Sequence, residues 1–186
     1  MTTNAEILDK IQIEIGQWSQ TNFGDQVSKL TNFPLGATAP LLGLFEEYGE
    51  LLETEDKFND ETKLETLDAI GDTCIYLLDF AGRSGISLVK YWISHTPDAE
   101  LEKCDPYVRV GITIGRLAHV SLKSHQGIRQ NETPLDDRLG AACVEVLLAL
   151  EAVCQELPNT LLIAVTQTTW NTVKKRNWKD NPTSGN

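Results

Sequence analysis

No two of the four cysteines stand in a C-x-x-C pair, and the three histidines, His95, His119 and His125, make no ligand set with them. The spacing therefore offers no zinc site, and cysteines set among apolar helix positions read as reduced core thiols. No apolar run approaches membrane length; the longest, Leu139 to Leu150, is interrupted by Glu145. No N-terminal stretch joins a basic start, an apolar run and a small-residue cleavage site, so the expectation is a cytoplasmic protein without a membrane partner. Strand alternation bounded by hairpin turns is also missing. Basic residues are scarce, 16 against 27 acids for a net charge of −11, which argues against a nucleic-acid polymer as partner.

Helix signals fill the space these absences leave. Thr3-x-x-Glu6 reads as a capping box, followed by Ile7, Leu8, Ile11, Ile15 and Trp18 at helical spacing up to Gly24. Phe33 to Gly36 reads as a loop, and Thr38 with Pro40 opens a second helix to about Phe58. A third runs from Asn59-Asp60 to about Gly82, then a short one from Ser87 to His95. Pro106, Pro134 and Pro158 each precede a periodic apolar segment, and Gly127 ends the helix begun at Pro106.

The 186 residues suit a single all-α domain over 1–180, long enough to bury a core without staples, with a frayed tail at 181–186. Inside it, Asp68-Ala-Ile-Gly-Asp-Thr-Cys-Ile-Tyr-Leu-Leu-Asp79 lines up with Asp137-Arg-Leu-Gly-Ala-Ala-Cys-Val-Glu-Val-Leu-Leu148. Each copy follows a long helix, so two tandem helical hairpins forming a four-helix bundle are expected, although two unrelated core helices would also give so short a match. Charge divides along the same line. Residues 1–100 hold 18 acids and 6 bases, whereas 101–186 hold 9 and 10. If the two segments are a duplication, the second copy has lost its acids, Asp72 becoming Ala141 and Asp79 becoming Leu148.

The acids of the first repeat are patterned. Leu41, Leu44, Phe45, Tyr48, Leu51 and Leu52 form an apolar stripe, and Glu46, Glu47 and Glu50 lie outside it. Opposite the apolar face of the third helix run Glu65, Asp68, Asp72 and Asp79, with Arg83 positioned to pair with Asp79. Like charges at such spacings repel by roughly 0.2–0.5 kcal/mol per exposed pair, more when partly buried. A divalent cation removes the conflict; a solvated acidic face is the plainer alternative.

Leu44-Phe-Glu46-Glu47-Tyr-Gly-Glu50-Leu, followed by Leu67-Asp68-Ala-Ile-Gly-Asp72-Thr-Cys-Ile-Tyr-Leu, resembles the MazG-like all-α nucleoside triphosphate pyrophosphohydrolases, a group that includes dimeric dUTPases and dCTP pyrophosphatases. Gly115 to Arg129 and Trp170 to Trp178 extend the resemblance over most of residues 7–178. The resemblance implies a MazG-type bundle, magnesium (with manganese as an alternative), and hydrolysis of a nucleoside triphosphate to monophosphate and pyrophosphate, in nucleotide clean-up or pool control. It implies Glu47, Glu50 and Asp72 as metal ligands with Asp68 a fourth and Asp79 a further candidate, and Glu46, or a ligand glutamate doing double duty, as the group that activates water. Lys123, Arg129, Lys175 and Arg176 are the phosphate-binding candidates, and a homo-oligomer, with a dimer favoured, is expected. Ala69 stands where the family pattern E-x-x-D has its first acid; either Asp68 takes over or fewer metals bind. The alternative is a non-catalytic nucleotide- or partner-binding bundle of the same descent.

Overall fold

A computed structural model describes residues 3–24, 36–55, 63–128 and 133–183. Among them every regular element but one is an α-helix, and there is no strand. In order these are α1 (Asn4–Phe23), α2 (Thr38–Glu55), α3 (Lys63–Arg83), α4 (Leu88–Ser94), α5 (Pro106–His125), α6 (Leu135–Glu156) and α7 (Leu162–Val173). One turn of 3-10 helix, Leu101–Lys103, precedes α5. No helix among the described residues is long and apolar enough to cross a membrane.

Local chemistry explains most boundaries. At α1 the Glu6 N–H donates to Thr3 Oγ1 at 3.2 Å and the Thr3 N–H donates to Glu6 Oε2 at 2.7 Å, completing the capping box. At α5 the Asp105 carboxylate accepts from the N–H groups of Tyr107 and Val108, with Pro106 in the first turn. Gly127 closes α5 at φ 65°. Ile128 donates back to the Lys123 carbonyl and Gly127 to that of Ser124, a Schellman arrangement. Pro158 behaves differently from expectation. Asn159 follows it in the left-handed region at φ 54°, so the chain turns once more and α7 starts only at Leu162. The expected helix limits near Phe58 and Asn59 fall outside the described residues.

The apolar face of α3 is the centre of the fold. Ile70, Cys74, Leu77, Leu78 and Ala81 are fully buried, and α3 packs against α2, α7, α1 and α6. The pairs α2–α3 and α5–α6 form the two hairpins, which meet through α2–α5 and α3–α6 contacts. The short helix after each hairpin crosses to the other one: α4 packs on α6, and α7 on α3. The aligned glycines make these crossings. A methyl group at Gly71 would collide with Thr169 of α7, and one at Gly140 with Tyr91 of α4.

Polar pairs are buried at both ends of this core. In the first half, the Asp79 carboxylate accepts from the Ser19 hydroxyl at 2.8 Å and from Arg83 Nε at 3.2 Å, and Arg83 also reaches the Gly24 carbonyl. In the second half, Glu145 of α6 lies 2.6 Å from His95 Nε2 and accepts from the Asp98 N–H, with Arg109 at 3.9 Å. The acid that interrupts the apolar run of α6 thus fastens the loop after α4.

Candidate functional site

The amphipathic character of α2 and α3 brings their acids together. With Leu44 and Leu51 in the core, the 3.6-residue period turns Glu47 toward α3, where Asp72 emerges one turn beyond the buried Ala69. Glu47 and Asp72 line one wall of a cleft of about 920 Å³, within the range of small-molecule sites. Trp18 and Phe23 at the end of α1 line another wall, and Arg176 and Trp178, in the turns that follow α7, line a third. The Tyr76 ring, seated against Gly43, forms the floor between α2 and α3.

The far side is held by long-range hydrogen bonds. Trp18 Nε1 donates to the Arg176 carbonyl at 3.0 Å, and the Trp178 N–H donates to Asn22 Oδ1 at 2.7 Å. The Arg176 guanidinium lies 6.0 Å from the Trp178 ring centroid. Trp170 is buried and packs edge-on against Trp18, with its Nε1 donating to Glu14, so α7 is anchored just before the basic turn. The tail expected to fray from 181 stays near the cleft for two more residues: Asn181 donates to the Asn177 carbonyl, and Pro182 lines the cleft.

Electrostatics single out two carboxyls. Burial pushes Glu47 up to about 8, with further repulsion from Asp72, Glu50, Glu46 and Asp68. Burial likewise raises Asp72 to about 6, helped by Asp68 and Glu50 and opposed by the Arg176 guanidinium. Tyr76 beneath them goes to about 12, mainly through burial and then through the same acids. Asp79 is also raised by burial, although Ser19 and Arg83 pull it back.

The sequence candidates separate accordingly. Glu46, Glu47, Asp72, Asp79 and Arg176 line the cleft. Glu50 is exposed beside it, close enough to act on Glu47 and Asp72. Asp68 acts on the same two acids but is exposed, lining a separate groove between α3 and the start of α7. Asp79 is spoken for by Ser19 and Arg83. Lys123 bonds Gln126 and lines no part of the cleft, Lys175 is exposed outside it, and Arg129 lies outside the described residues. Trp18, which its spacing sets with Ile11 and Ile15 on the apolar face of α1, is half-buried and lines the cleft. Lys179, Asn22 and Phe23 also reach the cleft, and no sequence pattern announced them.

An all-oxygen, mutually repelling donor set suits a hard divalent cation. Among the described residues no three Asp, Glu, His or Cys side chains converge as a ready-made metal site. Magnesium tolerates this, since it keeps several waters and takes one or two carboxylates together with substrate phosphates. A scan of protein-family models, a search of curated proteins and a search of solved structures each return no match to this chain.

The raised carboxyls fix a sign for the metal-free protein. Their folded pKa values exceed the unfolded ones, so the folded state holds extra protons between about pH 4.5 and 8, and stability falls as pH rises through that window. With solvent screening discounted, loss of roughly 1–2 kcal/mol is expected, or about 3–6 °C in melting temperature between pH 5 and pH 8.5 in EDTA. Magnesium should recover more of it at pH 8.5 than at pH 6, because ligands must be deprotonated. A melting temperature that climbs with pH without metal would refute the assignment of these two groups.

Proposed function

We propose that this cleft hydrolyses a nucleoside triphosphate to its monophosphate and pyrophosphate with magnesium, and that the chain is a MazG-like pyrophosphohydrolase whose second hairpin completes a four-helix-bundle core. The observation that carries the reading is the half-buried Glu47–Asp72 pair in a cleft that Arg176, Trp18 and Trp178 also line. Such a cleft offers oxygen ligands, a phosphate-binding cation and flat apolar surface for a base. Nucleotide clean-up or pool control is the corresponding role, with a homo-oligomer as the working form and neither nucleic acid nor membrane as partner.

In this mechanism Glu47 and Asp72, with Glu50 beside the cleft and Asp68 reaching from the neighbouring groove, would hold the metal. Magnesium held there would supply neutralisation of phosphate charge and a more acidic water. Arg176 binds a non-bridging phosphate oxygen and keeps the chain of phosphates aligned. Glu46, at the exposed lip, orients a water and takes its proton as the oxygen attacks the α-phosphorus. The bond from that phosphorus to the bridging oxygen breaks, and pyrophosphate leaves. Positioning and electrostatics carry the rate.

Pyrophosphate release from a panel of canonical and modified nucleoside triphosphates, with and without magnesium, tests this. Turnover that requires magnesium and falls at least about a hundredfold in Glu50→Gln is the expected result. Turnover indifferent to both would refute it. One observation favours a second reading, a nucleotide-binding module without catalysis: Ala69, at the usual position of an acid, is only 4 % exposed and belongs to the core. Saturable nucleotide binding without turnover would select that reading.

A further inference from the structure

The last turn of α1 is held from the end of α3. Ser19, buried, donates to Asp79 Oδ2 at 2.8 Å, and Arg83 Nε donates to Asp79 Oδ1 at 3.2 Å. The other nitrogens of Arg83 close the ring: Nη2 donates to Ser19 Oγ at 2.7 Å, and Nη1 to the Gly24 carbonyl at 3.1 Å. One guanidinium thus joins a carboxylate of its own helix, a hydroxyl of α1 and the backbone where the chain leaves α1. The last turn of α1 has no basic residue, so Arg83 supplies from outside the cation that a helix C-terminus favours. Gly24 departs at φ 58° and ψ −138°, a backbone conformation that favours glycine, and Arg83 bonds the carbonyl it presents.

The rest of α1 is seated without this latch. Leu8, Ile11 and Ile15 lie in the core, and the buried Gln12 side chain donates to the Ile86 carbonyl and accepts from the Leu88 N–H. The latch acts on the stretch beyond Ile15, which carries Trp18, Asn22 and Phe23 into the cleft. Two of these hold the segment after α7 in turn: Trp18 donates to the Arg176 carbonyl, and Asn22 accepts from the Trp178 N–H. Glu47 and Asp72 do not share the dependence, because the buried faces of α2 and α3 place them. We propose that Arg83 is a positioning residue of the cleft, holding the end of α1 through Ser19, Asp79 and the Gly24 carbonyl so that the Trp18 and Arg176 lining keeps the shape a nucleotide binds. The proposal rests on reading the cleft as a nucleotide site. It divides that site into a metal side independent of Arg83 and a nucleotide side that depends on it. It also gives Asp79 a role outside the metal set, since both its oxygens accept from the latch.

Arg83→Gln, Arg83→Lys and Ser19→Ala in the full chain test it, with circular dichroism melts as the check on folding. Arg83→Gln should raise KM for the triphosphate about tenfold, with kcat within about threefold and nucleotide-free manganese affinity, by calorimetry, within about twofold of wild type. Arg83→Lys should recover part of the KM. Ser19→Ala leaves the Asp79–Arg83 pair in place, so it remains folded if loss of the guanidinium proves too costly, and it should raise KM by a smaller factor. A second readout needs no turnover. The four tryptophans give four indole N–H signals in a nitrogen–proton correlation spectrum. The Trp18 signal should shift in Arg83→Gln and Ser19→Ala, and the Trp92 signal should stay. An unmoved Trp18 signal or an unchanged KM in the folded variants would overturn the proposal, as would manganese affinity that falls as far as nucleotide affinity. A wild type that turns over no nucleotide would refute the reading of the cleft instead, and the Trp18 signal would still decide whether Arg83 holds this lining in place.

Discussion

Glu47→Gln is expected to remove at least about 99 % of magnesium-dependent pyrophosphate release and, in the same protein, to raise the melting temperature without metal. The two effects have one cause. Glu47 sits half-buried against α3 under the repulsion of Asp72, Glu50, Glu46 and Asp68, with no cation bonded to it among the described residues. A neutral amide keeps the shape and drops the repulsion. At pH 8.5 in EDTA the gain should be about 1 kcal/mol after allowing for solvent, some 2–4 °C. In saturating magnesium the order should invert, because the wild type gains by binding what the variant cannot hold. A glutamate that merely packs would lose stability on substitution in both buffers, and that outcome, or undiminished turnover, would remove Glu47 from the site.

The helices and the central acids were legible because both depend on neighbours three or four residues away. The capping box at Thr3, the Schellman turn at Gly127 and the Asp79–Arg83 pair were each written in a single turn of sequence. The facing of Glu47 and Asp72 followed from the apolar stripes on their helices. What lay beyond one helix was less accessible. Periodicity placed Phe45 and Leu52 with the buried stripe, but the exposure of a flank depends on which helix lies beside it, and both remain open at the α2–α5 edge. Asp68 and Asp72 share a helical face, yet the groove under α7 takes one and the cleft the other. The ranking of Arg176 above Lys175 came only from the Trp18 bond to its carbonyl, 158 residues away in sequence. The partners of Glu145 were hidden for the same reason: His95 and Asp98 reach it from a loop some fifty residues earlier.

Gly71→Ala should destabilise the protein by about 2–4 kcal/mol, a loss of roughly 5–12 °C, and impair turnover with it. An alanine at an ordinary helix position would stabilise, since it has the higher helix propensity. At Gly71 the added methyl meets Thr169 at its hydroxyl, its Cβ and its Cγ2 at once. Thr169 is buried and β-branched, so it has little rotamer freedom with which to withdraw. The remaining relief is for α7 to move off α3. That movement carries the Arg176 turn with it, because Arg176 donates to the Val173 carbonyl at the end of α7, and it loosens the wall that faces Asp72. The variant should therefore show a raised KM for the triphosphate as well as a lower melting temperature. Thr169→Ala in the same chain removes the hydroxyl and Cγ2 but not the Cβ, so it should return part of the loss. The double variant should be more stable than the sum of the single effects predicts. Strict additivity, or a stabilising Gly71→Ala, would mean that α7 does not depend on this glycine for its seat on α3.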